Sequence, residues 1–259
     1  MPQVIEVVER YIIPDFPDLD LPEEDGVPLE SNWHRLQINL LDEIVRYRWR
    51  DRTDFFAGGN MFIYYSLQQA RNRDYRGPDF FVVKDIDGSY PRQKWVVWEE
   101  NGRYPDVIIE LMSPSTAQED LGRKKELYER TFHTAEYFCY DPEEQRLYGW
   151  RLGEPGYLPL RVNEQGCVWS AQLDAWLGTR PGLYHQEQAV WLRLFDADGR
   201  LILTEAEAEY QRAETELQRA ETEQQRAEAE RQRAEAAEAE IARLRQELAR
   251  RQSQSGETS

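Results

Sequence analysis

Between Asn32 and about Arg50 the apolar residues Trp33, Leu36, Leu40, Leu41, Ile44 and Val45 fall three and four apart. This spacing predicts an amphipathic helix, and Ser31 just ahead of it supplies an N-cap hydroxyl. The pattern then changes to short apolar and β-branched runs: Met61 to Leu67, Asp79 to Val83, Trp95 to Trp98, Asp106 to Met112, Glu136 to Tyr140, Arg146 to Leu152 and Tyr157 to Val162. These predict strands. A helical stretch interrupts them from Asp120 to about Arg130, with Leu121, Lys124, Leu127 and Tyr128 three and four apart and the turn Ser113-Pro114-Ser115-Thr116 ahead of it. Val190 to Phe195 and Arg200 to Leu203 flank Asp198-Gly199 and read as a closing hairpin. Residues 1–30, rich in Pro and Asp, read as an extended lead-in. Residues 1–204 are thus expected to form one α/β domain, a mixed sheet with helices packed against it.

Beyond Thr204 a seven-residue repeat takes over, with QRAETEL, QRAETEQ, QRAEAER and QRAEAAE following one another from Gln211. That period means helix. Ala213, Ala220, Ala227 and Ala234 hold one heptad position, continued by Ile241 and Leu248, while the other seam position runs Leu217, Gln224, Arg231, Glu238. Half a seam leaves two readings. One is a coiled-coil arm that drives self-association, a dimer above all; the other is a solvated helix held by Glu–Arg pairs at spacings of three and four. The arm is placed at 205–250 and a disordered tail at 251–259.

Charge narrows the function classes. Lys and Arg total 32 against 49 Asp and Glu, a net of -17; 14 Glu and 9 Arg beyond Thr204 leave -12 on the body. A protein that coats nucleic acid by bulk positive charge is excluded. Cys139 and Cys167, both in apolar surroundings, read as reduced thiols rather than a disulfide or zinc site. No apolar run approaches a membrane span and no signal-peptide pattern opens the chain, so a cytoplasmic protein without membrane contact is expected.

Glu110 is the residue least easily explained by solvation, because it continues the β-branched run Val107-Ile108-Ile109 in what reads as a strand buried on both faces. A buried carboxylate needs a cation, a proton or several donors. Asp106, four residues earlier, lies roughly 13 Å away along a strand, too far to share an ion with it. Asp79, at the start of the preceding run, can sit beside Glu110 if the two strands pair in the right register. Two carboxylates on neighbouring strands form a hard-cation site suited to Mg²⁺, with Mn²⁺ as the alternative. Lys124, on the helix after the Ser-Pro-Ser-Thr turn, is the nearest cation. Only four Lys are present, against 28 Arg. A Lys there can orient or deprotonate an attacking water.

Gly77-Pro78-Asp79, the run Pro105-Asp106-Val107-Ile108-Ile109-Glu110-Leu111-Met112-Ser113-Pro114-Ser115-Thr116, then Asp120, Lys124, Tyr128 and Ala135-Glu136-Tyr137-Phe138 resemble the Uma-two restriction-endonuclease family. That family is placed in the PD-(D/E)XK nuclease superfamily. The resemblance runs from about Glu30 to about Gly182. It implies a restriction-endonuclease-like core, with Asp79 and Glu110 as metal carboxylates and metal-dependent hydrolysis of DNA. The Lys expected two residues after Glu110 is Met112 here, so its role maps onto Lys124, with Lys125 as a competitor. An additional acidic metal ligand from the first helix maps onto Glu30, with Glu43 as the alternative.

Other readings stand beside these. Asp79 can be a strand-start carboxylate after a Gly-Pro turn, Glu110 a buried partner of an Arg, and Lys124 a helix-face partner of Asp120. Ser113, Ser115 and Thr116 suit turn and helix capping, His34, His133 and His185 are ordinary, and Tyr128 and Tyr137 are expected in the core, with hydrogen bonds within the site as the alternative. Arg46, Arg48 and Arg50, followed by Arg73 and Arg76, form a basic patch that either contacts DNA phosphates or caps a helix end. The function expected is DNA phosphodiester hydrolysis. The alternative is a catalytically inactive nuclease-fold module that binds nucleic acid or recruits a protein through its arm.

Overall fold

The computed structural model describes Leu21, residues 31–72 and residues 77–256. The expected lead-in therefore falls almost wholly outside the described residues, as do Glu30, Arg73 and Arg76. The chain divides into a unit ending at Ile202 and a second unit from Leu203.

In the first unit, helix α1 (Asn32–Arg48) starts where the sequence places it, and the Ser31 hydroxyl accepts from the His34 N–H. Strands β1 (Phe55–Gly59), β3 (Phe80–Lys84), β5 (Val107–Leu111), β6 (Glu136–Asp141), β7 (Arg146–Leu152) and β8 (Tyr157–Pro159) form one sheet in the order β1-β3-β5-β6-β7-β8. Neighbours are antiparallel except β5 and β6, which run parallel, so the sheet is mixed. Strand alternation sorts its side chains. Phe80, Val82, Val107, Ile109 and Leu111 join Leu40, Leu41 and Ile44 of α1 in one core layer. Phe81, Val83, Ile108 and Tyr137 join Tyr128 and Phe132 in the other. β5 is buried at all five positions, as its β-branched run requires.

The expected strand from Met61 to Leu67 shrinks to β2 (Ile63–Tyr64), paired in parallel with β4 (Trp95–Val96), and a short helix α2 (Leu67–Arg71) follows. β1, which no apolar run announced, ends in Gly58-Gly59. A Cβ on Gly59 would lie 2.2 Å from Ile38 Cγ2 and 2.8 Å from the Asp79 carbonyl, so glycine is what lets α1 and the start of β3 close around this edge. The closing hairpin is also different. β11 (Glu187–Phe195) pairs with β10 (Ala175–Tyr184), which pairs in turn with β9 (Val168–Ser170), whereas the expected return past Asp198-Gly199 is short, held by the bridge Phe195–Leu201 and by the Asp196 and Ile202 N–H groups donating to the Arg200 and Leu194 carbonyls. The real turn is His185-Gln186, both at positive φ, the backbone a two-residue hairpin demands. Gly178, Pro181 and Gly182 disguise β10 in the sequence. Pro181 is tolerated because β9 covers only residues 175–177 and leaves that flank free of a strand.

After the Ser-Pro-Ser-Thr turn the chain runs through α3 (Ala117–Glu119), a π-helical turn (Asp120–Lys124) and α4 (Lys125–Arg130). Ser113 and Thr116 exchange backbone-to-hydroxyl hydrogen bonds across the turn, the capping duty expected of them. The second unit contains α5, a single helix from Glu205 to Gly256. It passes the boundary set at residue 250, because Arg, Gln and Ser continue a helix at little cost and the first Gly comes only at 256. No helix among the described residues is long and apolar enough to cross a membrane.

Candidate active site

Antiparallel pairing of Phe80 with Ile109 carries Asp79 opposite Glu110, one step further along both strands. The two residues lock reciprocally. The Asp79 N–H donates to Glu110 Oε2 at 3.3 Å, and the Leu111 N–H donates to Asp79 Oδ2 at 2.7 Å. By strand alternation Glu110 points to the face covered by the 117–130 helix, where the π turn and α4 present Asp120, Lys124 and Tyr128. Lys124 Nζ lies 3.1 Å from Glu110 Oε2 and 2.8 Å from Asp120 Oδ1. The Tyr128 hydroxyl donates to Glu110 Oε1 at 2.8 Å, and the Tyr137 hydroxyl donates to the Asp120 carbonyl at 2.8 Å. A π turn is the kind of local irregularity that collects at functional sites. Here it brings an acid and a base from one helical segment onto a carboxylate of the central strand.

Burial sets the electrostatics. Glu110 and Tyr128 are fully buried and Asp120 is 1% exposed, while the Lys124 side chain keeps 19% of its surface. Desolvation raises Glu110 to about 7, against the opposing charge of Lys124, and raises Asp79 and Asp120 each to about 6. Burial alone would lower Lys124, but Glu110, Asp120 and Asp79 together raise it well above its ordinary value. Lys124 is therefore a firm ammonium. Three carboxyl groups share this one cation, so full ionisation leaves the cluster two charges negative; burial is the main cause of the raised carboxyl pKa values, and the neighbouring carboxylates add to it. Removing the Tyr128 hydroxyl strands Glu110 Oε1 without its donor. Tyr128→Phe is expected to cost about 1–3 kcal/mol in urea unfolding; an unchanged midpoint would show that the bond contributes nothing.

The structure brings Asp79, Glu110 and Lys124 together and separates the alternatives. Lys125 Nζ sits 4.3 Å over the Trp150 ring instead. Glu43 is exposed on α1. Asp106 accepts from the Lys84 N–H at 2.7 Å and pairs with Arg103, a structural role. Two further groups contribute. The sequence offers Asp120 as a helix-face partner of Lys124 and Tyr128 first as core and second as a hydrogen-bonding group of the site, the use the structure shows; the spacing of four from Asp120 to Lys124 and again to Tyr128 is the available signal. His34 is more than ordinary packing. Its Nε2 is 3.1 Å from the Leu111 carbonyl, which only accepts, so Nε2 carries the proton, and Nδ1 faces the Ser31 hydroxyl at 2.9 Å. It ties α1 to the end of β5 beside Glu110. Cys139 and Cys167 are both free.

The basic patch is internally engaged. Arg46 pairs with Asp42 at 2.7 Å and donates to the Ala57 carbonyl, Arg48 donates to the Asp174 carbonyl, and Arg50 donates to the Tyr47 carbonyl. Only Arg50 satisfies a carbonyl of the last turn of α1; Arg46 reaches β1 and Arg48 reaches the residue before β10.

No group of three or more His, Cys, Asp or Glu among the described residues is placed to hold a metal ion. The donor set that is present, two facing carboxylates with oxygen ligands only, fits Mg²⁺, which takes one or two carboxylates and fills its octahedron with water and phosphate oxygens.

Comparison with known proteins adds one strong finding. The family model described as Uma2, putative restriction endonuclease, matches residues 24–178. Among solved structures, a protein described as a putative nuclease belonging to DUF820 from Anabaena variabilis ATCC 29413 is similar at 18% identity and a TM-score of 0.38, covering 56% of this chain and 76% of its own. No curated protein matches.

Proposed function

Because the chain belongs to the Uma2 family of putative restriction endonucleases, and is nuclease-like on that ground, we propose that it hydrolyses DNA phosphodiester bonds at Asp79, Glu110 and Lys124. The observation that carries this reading is the charge deficit. Two facing carboxylates and a third beside them, against one ammonium, form a buried cluster with excess negative charge that a divalent cation would balance. Asp79 and Glu110 would hold Mg²⁺, or Mn²⁺ in its place, and when bound the ion supplies Lewis-acid polarisation of the scissile phosphate. Lys124 keeps its proton. It therefore orients the attacking water and stabilises charge on the phosphate oxygens, and does not act as the base. Asp120 holds the ammonium from one side and Tyr128 fixes Glu110 from the other, so the reacting groups are positioned before substrate arrives.

The test is nicking of supercoiled plasmid with and without Mg²⁺, comparing the wild type with Glu110→Gln. The expected loss is about 10³-fold or more. Equal activity in both proteins would locate the cleavage elsewhere.

A second reading is favoured by the engaged arginines and the -12 charge of the body: a nuclease fold retained as a binding module. In that case neither the wild type nor Glu110→Gln would nick plasmid with or without Mg²⁺, and the partner to look for is a protein rather than DNA.

A further inference from the structure

The charged face of α5 decides what this helix pairs with. Every residue from 209 to 247 is exposed, and the helix displays Tyr210, Leu217, Ile241 and Leu244 at 73%, 61%, 49% and 51% exposure. All four lie on the face that carries the Ala213, Ala220, Ala227 and Ala234 series. With that series as heptad position d, Tyr210 and Leu217 fall at a, Ile241 at d and Leu244 at g. The flanks of the face are acidic. Position e is Glu214, Glu221, Glu228 and Glu235, and position g is Glu216, Glu223 and Glu230, while Arg212, Arg219, Arg226 and Arg233 stand at c, turned away from the seam.

The two flanks differ in how far their own helix neutralises them. Glu216, Glu223 and Glu230 each have an Arg four residues before and three residues after. Glu214 and Glu221 have no cation at a spacing of three or four on either side. The e flank is thus unneutralised at Glu214 and Glu221, while further along Arg231 stands three residues after Glu228 and pairs with Glu235 at 2.9 Å.

A second copy of α5 fits this face poorly in either direction. In a parallel pair, position g meets e of the copy, which sets Glu216 against Glu221, Glu223 against Glu228 and Glu230 against Glu235. Position a then meets itself and puts Arg231 against Arg231 and Glu238 against Glu238 inside the seam. In an antiparallel pair, e meets e; with Leu217 packed on Ile241, this sets Glu221 against Glu235 and Glu228 against itself. Each like-charge contact opposes pairing at the flank, and more strongly in the seam. The alanine series also offers shallow positions that bulky partner residues fill and other alanines do not.

We propose that α5 is a docking arm for a basic amphipathic helix of a different protein, with Lys or Arg along both flanks and large apolar residues over the alanines. This replaces the expectation of self-pairing through the arm and does not depend on whether the body cleaves DNA. The probe is a helical peptide copying residues 210–248 with Lys at 214, 216, 221, 223, 228, 230 and 235 and Leu at the alanine positions. A control peptide carries the same leucines, keeps the flanking Glu, and has the same number of Lys at the outward positions 215, 218, 222, 225, 229, 232 and 236. Sedimentation of the full-length protein is expected to show no self-association at about 50 μM, a micromolar one-to-one complex with the first peptide, and at least roughly tenfold weaker binding of the control. Three results would overturn the proposal. They are self-association that disappears when residues 205–259 are removed, equal binding of the two peptides, and binding of neither.

Discussion

Replacing Lys124 with methionine is expected to abolish Mg²⁺-dependent nicking and to steepen the dependence of the protein's stability on pH. Methionine keeps most of the aliphatic stem, so what is removed is the charge. At pH 8 the substitution leaves Glu110, Asp79 and Asp120 with no ammonium between them, so each either stays ionised without a partner or takes up a proton far above its free range, and breaking a buried pair from one side costs about 3 kcal/mol. At pH 5 these carboxyls, already raised to about 6 and 7 with Lys124 present, rise further without it and hold their protons. The loss should then shrink to about 1 kcal/mol or less. Urea unfolding at the two pH values reads this out. A deficit of the same size at both would mean that Lys124 contributes packing and not charge. Adding Mg²⁺ at pH 8 should recover part of the missing stability, since a bound cation replaces the lost one by mass action.

The sequence made the strand side of this cluster legible and left the helix side half read. Glu110 stood out because a carboxylate inside a β-branched run has few peaceful explanations, and α1, β3, β5, β6 and β7 followed from runs whose periodicity is unambiguous. Asp79 could be matched to Glu110 because a single register decides which residues face each other, and the observed pairing is that register. The 117–130 segment was harder. Regular α spacing puts Lys124 next to Asp120 but does not say that a π turn will aim both at a buried glutamate, since that turn is an outcome of packing and not of local propensity. Tyr128 was hard to place for a related reason: a tyrosine can fill a core and spend its hydroxyl on a buried carboxylate at the same time, and pattern alone favours the first. The misses in the fold share a cause. β1 and β10 contain glycines and a proline that read as breaks, and their strand character comes from the partners they lie between.

Glu110→Gln, beyond its effect on cleavage, is expected to flatten the pH dependence of stability in the metal-free protein. Glu110 lies at about 7 when folded and near 4.5 as a free side chain. A carboxyl raised in this way takes up a proton on folding wherever the pH falls between those values. Its contribution is complete below about pH 4.5 and is lost as the pH climbs through about 7, with a span of about 3 kcal/mol. Asp79 and Asp120, raised to about 6, act in the same direction over a slightly lower window. Wild-type stability relative to Glu110→Gln should therefore fall between pH 5 and pH 8. Glutamine has no proton to lose and retains an acceptor oxygen for Tyr128. Chemical denaturation across that range measures the difference, and parallel curves for the two proteins would remove Glu110 as the titrating group. The same linkage gives Mg²⁺ binding a signature independent of turnover. A cation that displaces the Glu110 proton must release it to solvent near pH 6.5, so the heat of binding should vary with the ionisation enthalpy of the buffer in the wild type and not in Glu110→Gln.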